Sequence, residues 1–422
     1  MRTIYFDYNA TTPLAAGVRE AMLPYLGEVW GNPSSVHHVG RRARALLDDA
    51  RDRVARVWGS KPSEVIFTSG GTESNNLAVF GAARLRREKG RHLITSGIEH
   101  HAVLHCFDYL ERREGFEVTR LPVNGEGRVE VAALARALRP DTVLVSVMAA
   151  NNETGAVQPV GALGALCRER GVIFHTDAVQ WFGKEAFGGV NDFNADLVSC
   201  CAHKFHGPKG AGALFIRSPW QPDPILFGGG HENERRAGTE NLAGIIGLAE
   251  AMERFVGGAS APQAERSAGQ RSARATSSSP PAEQCSALRG VKKPVFDRDY
   301  LAPLSDRLVK VVEGMAAQGV VLRSPRKERL ANTVAFTVRG VDSMTLLAGL
   351  DLEGVCASSG SACSAGSLEP SHVMVALGAA RDEASGLVRF SLGRESTAEE
   401  VAQVERVLPE VVARAQEAEG AR

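Results

Sequence analysis

Six short apolar runs, each closed by turn residues, constrain this chain most: "EVIFTSGG", "RHLITSG", "DTVLVSVMAANNETG", "GVIFHTDA", "ADLVSCCAHK" and "GALFIRS". A run of Val, Ile, Leu and Phe without polar alternation suits a strand buried on both faces. Helix-like stretches separate the runs, which predicts a mostly parallel sheet sandwiched by helices, an α/β fold. Polar residues follow the strands directly and so fall at the carboxyl edge of an open sheet, where ligands bind.

At 422 residues the chain is long enough for two domains. From Gly257 through Ala287 there is no Val, Ile, Leu, Met or aromatic residue. Such a segment buries too little apolar surface to offset its ordering entropy. We therefore expect a large domain over 15–256, a low-complexity insertion over 257–295, and a smaller α+β domain from 1–14 with 296–422. "NTVAFTV" and "LVRFSL" are strands of the smaller domain, and "YLAPLSDRLVKVVEGMAAQG" is a helix of it. Lys and Arg total 49, as do Asp and Glu, so no global field recruits nucleic acid or an anionic membrane. The N-terminus lacks a basic stretch followed by an apolar run, and no segment approaches the roughly 20 apolar residues a membrane helix needs. A cytoplasmic location is expected, with neither membrane nor direct nucleic-acid partners.

Seven cysteines, at 106, 167, 200, 201, 285, 356 and 363, are scattered without the paired spacing of a zinc site. The histidine pairs at 37–38 and 100–101 lack the ligands that would complete a metal centre, so none is expected. Cys363 stands apart in "ASSGSACSAG", where small, turn-forming neighbours can neither pack it in a core nor pair it.

The chemistry gathers after the strands. Lys204, in "SCCAHKFHGPKG", follows an apolar run and sits beside His203; a partly desolvated lysine has the lowered pKa that an amine attacking an aldehyde requires. Lys209 is a competitor, but lies in the loop "GPKG". Asp177, ending "VIFHTD", suits a pyridinium nitrogen and equally a helix N-cap; Gln180 suits a phenolic oxygen. "VIFTSGGTESNN" reads strand, Gly-rich turn, helix, and the N–H groups of Gly71 and Thr72 suit a phosphate, although such turns are common punctuation. His100 is placed to lie over a ring and shuttle protons, or to serve structurally; Asn152, in "NNETG", reaches the same sheet edge. Lysine, carboxylate and phosphate cup together are what pyridoxal phosphate needs.

"YFDYNATTP", "NPSSVHHVG", "TSGGTESNN", "IEHHAV", "NNETGAVQP", "TDAVQWFGK", "AHKFHGPKGAG", "RRAGTEN", "SSGSACSAG" and "VRFSLGR" resemble, in order, the motifs of cysteine desulfurases, fold-type I pyridoxal-phosphate enzymes of the class V aminotransferase group. The resemblance runs from residue 5 to about 395. It implies Lys204 as the Schiff-base lysine, Asp177 as the pyridinium partner, Gln180 as the O3' contact and His100 as the stacking acid/base. Thr72 would be a phosphate ligand, Gly71 and His203 stand with it among the cofactor-binding residues, and Asn152 would face both cofactor and substrate. Thr239 matches a threonine that reaches the other subunit's phosphate, implying a homodimer; Arg389 matches the arginine that receives the substrate carboxylate, with Arg394 structural. Cys201 stands where the family usually has serine, and a thiol is a weaker donor to phosphate. Cys363 would be the persulfide-forming nucleophile acting on L-cysteine, in the group with a longer mobile loop. Acceptors for its sulfur would be an iron–sulfur scaffold or a tRNA-thiolation protein. A selenocysteine lyase uses the same machinery, and an ordinary class V aminotransferase needs only Lys204, Asp177 and Thr72.

Overall fold

The computed structural model describes residues 3–257, 298–360 and 370–420. The predicted insertion thus lies, apart from Gly257, outside the described residues, as does Cys363.

A two-residue strand, β1 (Ile4–Tyr5), precedes the main sheet. That sheet is built from β2 (Val65–Thr68), β3 (His92–Ser96), β4 (Glu117–Leu121), β5 (Thr142–Ser146), β6 (Ile173–Asp177), β7 (Leu197–Cys201) and β8 (Gly212–Ile216), in the order β2-β8-β7-β6-β5-β3-β4. Every pairing from β7 to β4 is parallel, whereas β8 runs antiparallel to both β2 and β7. The reversal at β8 is local: only the loop after Lys204 separates β7 from β8, too short for the crossover a parallel neighbour requires. Apart from the edge strand β4, these strands are buried throughout, in keeping with their largely apolar sequences. Separate apolar cores cover the two faces of the sheet. One joins Trp58, Phe174, Phe182 and Phe215; the other joins Leu77, Phe107, Leu144 and Leu214.

Beyond the insertion, β9 (Val320–Leu322), β10 (Thr333–Val338), β11 (Val355–Cys356) and β12 (Leu387–Ser391) complete the strands. β10 is the antiparallel centre of a three-stranded sheet between β12 and β9, and β11 pairs in parallel with β1. A third core, including Ile4, Phe6, Phe336, Phe390 and Leu408, unites the N-terminal strand with these late elements and the helices Arg298–Gly314 and Ala398–Gly420. The N-terminus therefore packs with the C-terminal part of the chain, and residues 6–12 carry it across to the carboxyl edge of the main sheet.

Two glycines set the geometry of that edge. Gly70, at φ +157°, turns the chain from β2 into the helix Gly71–Leu85. A Cβ on Gly212 would stand 2.6 Å from Gly70 Cα, so only glycine lets β8 approach that turn.

Candidate active site

One cavity of about 220 Å³ collects nearly every sequence-derived candidate: Gly71, Thr72, His100, Asn152, Asp177, Gln180, Cys201, His203, Lys204 and Arg389 all line it. They arrive from the ends of β2, β3, β5, β6 and β7, and from β12.

Lys204 lies at the end of a short 3-10 turn after β7. Its Nζ donates to the carbonyls of Asn9 (2.7 Å) and Ala10 (2.8 Å). Burial brings its pKa down to about 8, so a substantial fraction is neutral amine near physiological pH. Its competitor Lys209 is exposed and does not line the cavity.

Asp177 is the last residue of β6 and only 5% exposed. Its Oδ2 accepts from Asn75 Nδ2 at 2.6 Å and its Oδ1 from the Val179 N–H at 2.9 Å. Burial pushes its pKa up, while these two donors and the Lys204 charge pull it down. Asn75 Oδ1 is itself buried without a hydrogen-bond partner.

The helix Gly71–Leu85 begins with no side-chain cap, leaving its first N–H groups directed at the cavity end of the fold. Cys201 faces that turn: the N–H groups of Gly71 and His203 are directed at its sulfur. His203 Nδ1 is 3.1 Å from Thr11 Oγ1. His100 is both a structural and a site residue. It N-caps the helix His101–Glu114 through Nδ1, which accepts from the Ala102 N–H, and it borders the cavity. Burial brings its pKa down to about 4, so the ring is neutral, and with Nδ1 accepting, the proton sits on Nε2.

Arg389 is 1% exposed. Its Nη1 donates to the carbonyls of Asn152 (2.8 Å) and Gly360 (2.6 Å), and Nη2 pairs with Asp7 at 2.7 Å. Its Nε is buried without a partner. Gly360 is the last described residue before Cys363, and Ser358 pairs through its backbone with Arg389. On the far side of that segment, Ser371 Oγ donates to Glu153 Oε2 at 2.5 Å. Both described ends of the Cys363 segment are thus anchored beside Asn152 and Arg389. Thr239 is exposed and does not line the cavity of its own chain, and Arg394 lies over the Phe255 ring, 5.2 Å from its centre.

Sequence reasoning missed Asn9, Asn75, Asp7 and Lys184. Asn75 follows Gly71 by one helical turn, so the 3.6-residue period could have found it on the same face. Asn9 is the hub of the site. Its carbonyl accepts from Lys204 and Gln180, its Oδ1 from Lys184 and Asn332, and its Nδ2 donates to Thr333 Oγ1 and the Asn152 carbonyl.

The chain matches the family described as "Aminotransferase class-V" over residues 4–286 and 299–404. It is 43% identical to the cysteine desulfurase IscS of Dictyoglomus turgidum (strain DSM 6724 / Z-1310), covering 97% of this chain and 95% of that protein. The cysteine desulfurase IscS of Methanosarcina thermophila is 42% identical, over 97% of this chain and 92% of the relative. Among solved structures, a NifS-like protein superposes with a TM-score of 0.80 at 33% identity, over 97% of this chain and 99% of that one. SspA in complex with cysteine gives 0.73 at 34%, over 92% and 99%. With fold, site and these likenesses in agreement, the chain belongs to the class V aminotransferase family, among its cysteine desulfurases.

Proposed function

We propose that the chain converts L-cysteine to L-alanine as a pyridoxal-phosphate-dependent cysteine desulfurase, holding the abstracted sulfur as a persulfide on Cys363. The observation that carries this is a convergence on one cavity: a lysine amine of lowered pKa, a buried carboxylate and a buried arginine with an unpaired Nε.

The residues present fit the cofactor. The uncapped helix turn at Gly71 and Thr72 suits its phosphate, the hydrogen-bonded Asp177 carboxylate suits a protonated ring nitrogen, and Lys204 suits its aldehyde. When bound, pyridoxal phosphate supplies a carbonyl for amine exchange and an electron sink adjacent to the substrate α-carbon. Arg389, held by Asp7 and two carbonyls, presents Nε to the substrate carboxylate. Lys204 Nζ, with its lowered pKa, would take the α-proton as a neutral base. The Cys363 thiolate then bonds to the substrate sulfur as the Cβ–S bond breaks; that bonding pair stays on carbon and is protonated to the alanine methyl. His100 borders the cavity as a neutral imidazole whose Nε2–H can donate a hydrogen bond to the reacting groups. One cysteine and one thiol thus become one alanine and one persulfide. The five described cysteines are poor substitutes for Cys363: burial raises the pKa of each.

Sulfur passing to an iron–sulfur scaffold or a tRNA-thiolation protein in the cytoplasm, and a homodimer, belong to the same proposal. Exposed Leu26, Trp30 and Phe227, with the exposed Thr239, support pairing of two copies. The separate late core supports the division into 15–256 and a smaller domain of 1–14 with 296–422. The test is mass spectrometry after cysteine treatment. One added sulfur on Cys363, with alanine formed and both lost in Cys363→Ala, is expected; sulfur on Cys356 or Cys201 overturns the assignment.

A further inference from the structure

The most anomalous group near the cavity is Lys184. It is 3% exposed, yet among the described residues no carboxylate pairs with it. A lysine buried without a counter-ion is costly, so its place calls for a compensating role. The preceding Gly183, at φ +72°, packs where a Cβ would meet Phe205 Cβ at 2.6 Å. The Lys184 Nζ donates to two side-chain amides, Asn9 Oδ1 at 2.8 Å and Gln180 Oε1.

Both acceptors are ambivalent groups. An amide can present its carbonyl or its N–H₂ in nearly the same space, whereas the lysine amine, which keeps two hydrogens even when neutral, spends them here on the two amide oxygens. Lys184 therefore decides which way each amide faces. With Oε1 held by Lys184, the Gln180 Nε2 is turned the other way, donating one hydrogen to the Asn9 carbonyl at 2.9 Å and keeping a second. Gln180 borders the cavity while Lys184 does not. The Asn9 carbonyl that receives Gln180 is also the one that receives Lys204, so the three side chains form one connected network.

We propose that Lys184 is a positioning residue that locks the Gln180 amide with its N–H₂ toward the cavity, so that Gln180 offers a donor and never an acceptor to the ring oxygen of the bound cofactor. This rests on the cofactor reading above. Without the lock, the amide is free to turn Oε1 toward an oxygen that is itself an acceptor, and a hydrogen bond becomes a repulsion. Burial and the nearby Lys204 charge also bring the Lys184 pKa well below its ordinary value, which keeps the cost of its burial down without removing its two donors.

The experiment is a double-mutant cycle of Lys184→Met and Gln180→Ala in the full chain, read by pyridoxal phosphate affinity and the absorbance maximum of the bound cofactor. The ring oxygen belongs to the chromophore, so its hydrogen bond is visible there. Lys184→Met is expected to weaken affinity at least tenfold and shift the maximum. In a Gln180→Ala background it should add little to either. Wild-type affinity and spectrum in Lys184→Met, or effects of the two substitutions that add in full, overturn the inference, because a merely structural lysine would not act through Gln180. Should Lys184→Met not fold, Lys184→Gln is read instead: its amide fills similar space but can present either end, and a wild-type spectrum there is equally fatal. A wild-type protein that takes up no pyridoxal phosphate overturns both this and the cofactor reading; a wild-type that does, with Lys184→Met matching it, overturns only this one.

Discussion

Replacing Asn75 by alanine tests how a fully buried carboxylate is kept charged. Asp177 has two hydrogen-bond donors, the Asn75 amide at 2.6 Å and the Val179 N–H at 2.9 Å. A hydrogen bond to a charged group contributes about 1.5–3 kcal/mol, so losing the amide makes ionisation of Asp177 roughly ten- to 150-fold harder. The sign is unambiguous, since burial already raises the Asp177 pKa and Asn75 opposes it. A neutral Asp177 cannot balance a protonated ring nitrogen, so kcat for alanine formation should fall by about tenfold or more and cofactor affinity should weaken. Apoprotein stability should fall less, because truncation also removes the buried, unpartnered Asn75 Oδ1. That penalty is felt where Asp177 is charged and fades as pH falls through its raised folded-state pKa. Steady-state alanine formation, a pyridoxal phosphate titration and thermal unfolding of the apoprotein measure the three. A kcat within twofold of wild type, with unchanged cofactor affinity, would refute the reasoning.

Cys201→Ser exchanges a weak donor for a stronger one where two N–H groups already converge, and pyridoxal phosphate should bind about two- to tenfold tighter by equilibrium titration; equal or weaker binding removes Cys201 from the phosphate cup. Only neutral amine attacks an aldehyde, and burial of Lys204 lowers its pKa, so the rate of cofactor capture by apoprotein should rise with pH through a midpoint near 8. Stopped-flow absorbance follows that rate. A midpoint near the ordinary 10.5, or capture surviving in Lys204→Ala, counts against the assignment.

Much of the fold was legible because hydrophobic periodicity is local. Runs such as "EVIFT" and "ADLVSCC" became β2 and β7 with every residue of each strand buried, and the residues just after them, Gly71 and Lys204, came out at one sheet edge. The sense of β8 was a finer matter, since an antiparallel neighbour uses the same apolar run. Cys363 was conspicuous for the opposite reason, as a thiol in surroundings that could not pack it. Tertiary structure alone decided what the site residues do to one another. Asn9 draws its partners from residues 152, 180, 184, 204, 332, 333 and 391, and Arg389 finds Asp7 382 positions away. No motif spacing encodes such contacts, because they exist only once the N-terminal strand has packed with the C-terminal core and returned across the sheet edge. By itself, then, the sequence determined which chemical groups stand at the sheet edge. Closure of the chain decided which amide faces which amine, and therefore which of those groups can donate, accept or carry charge.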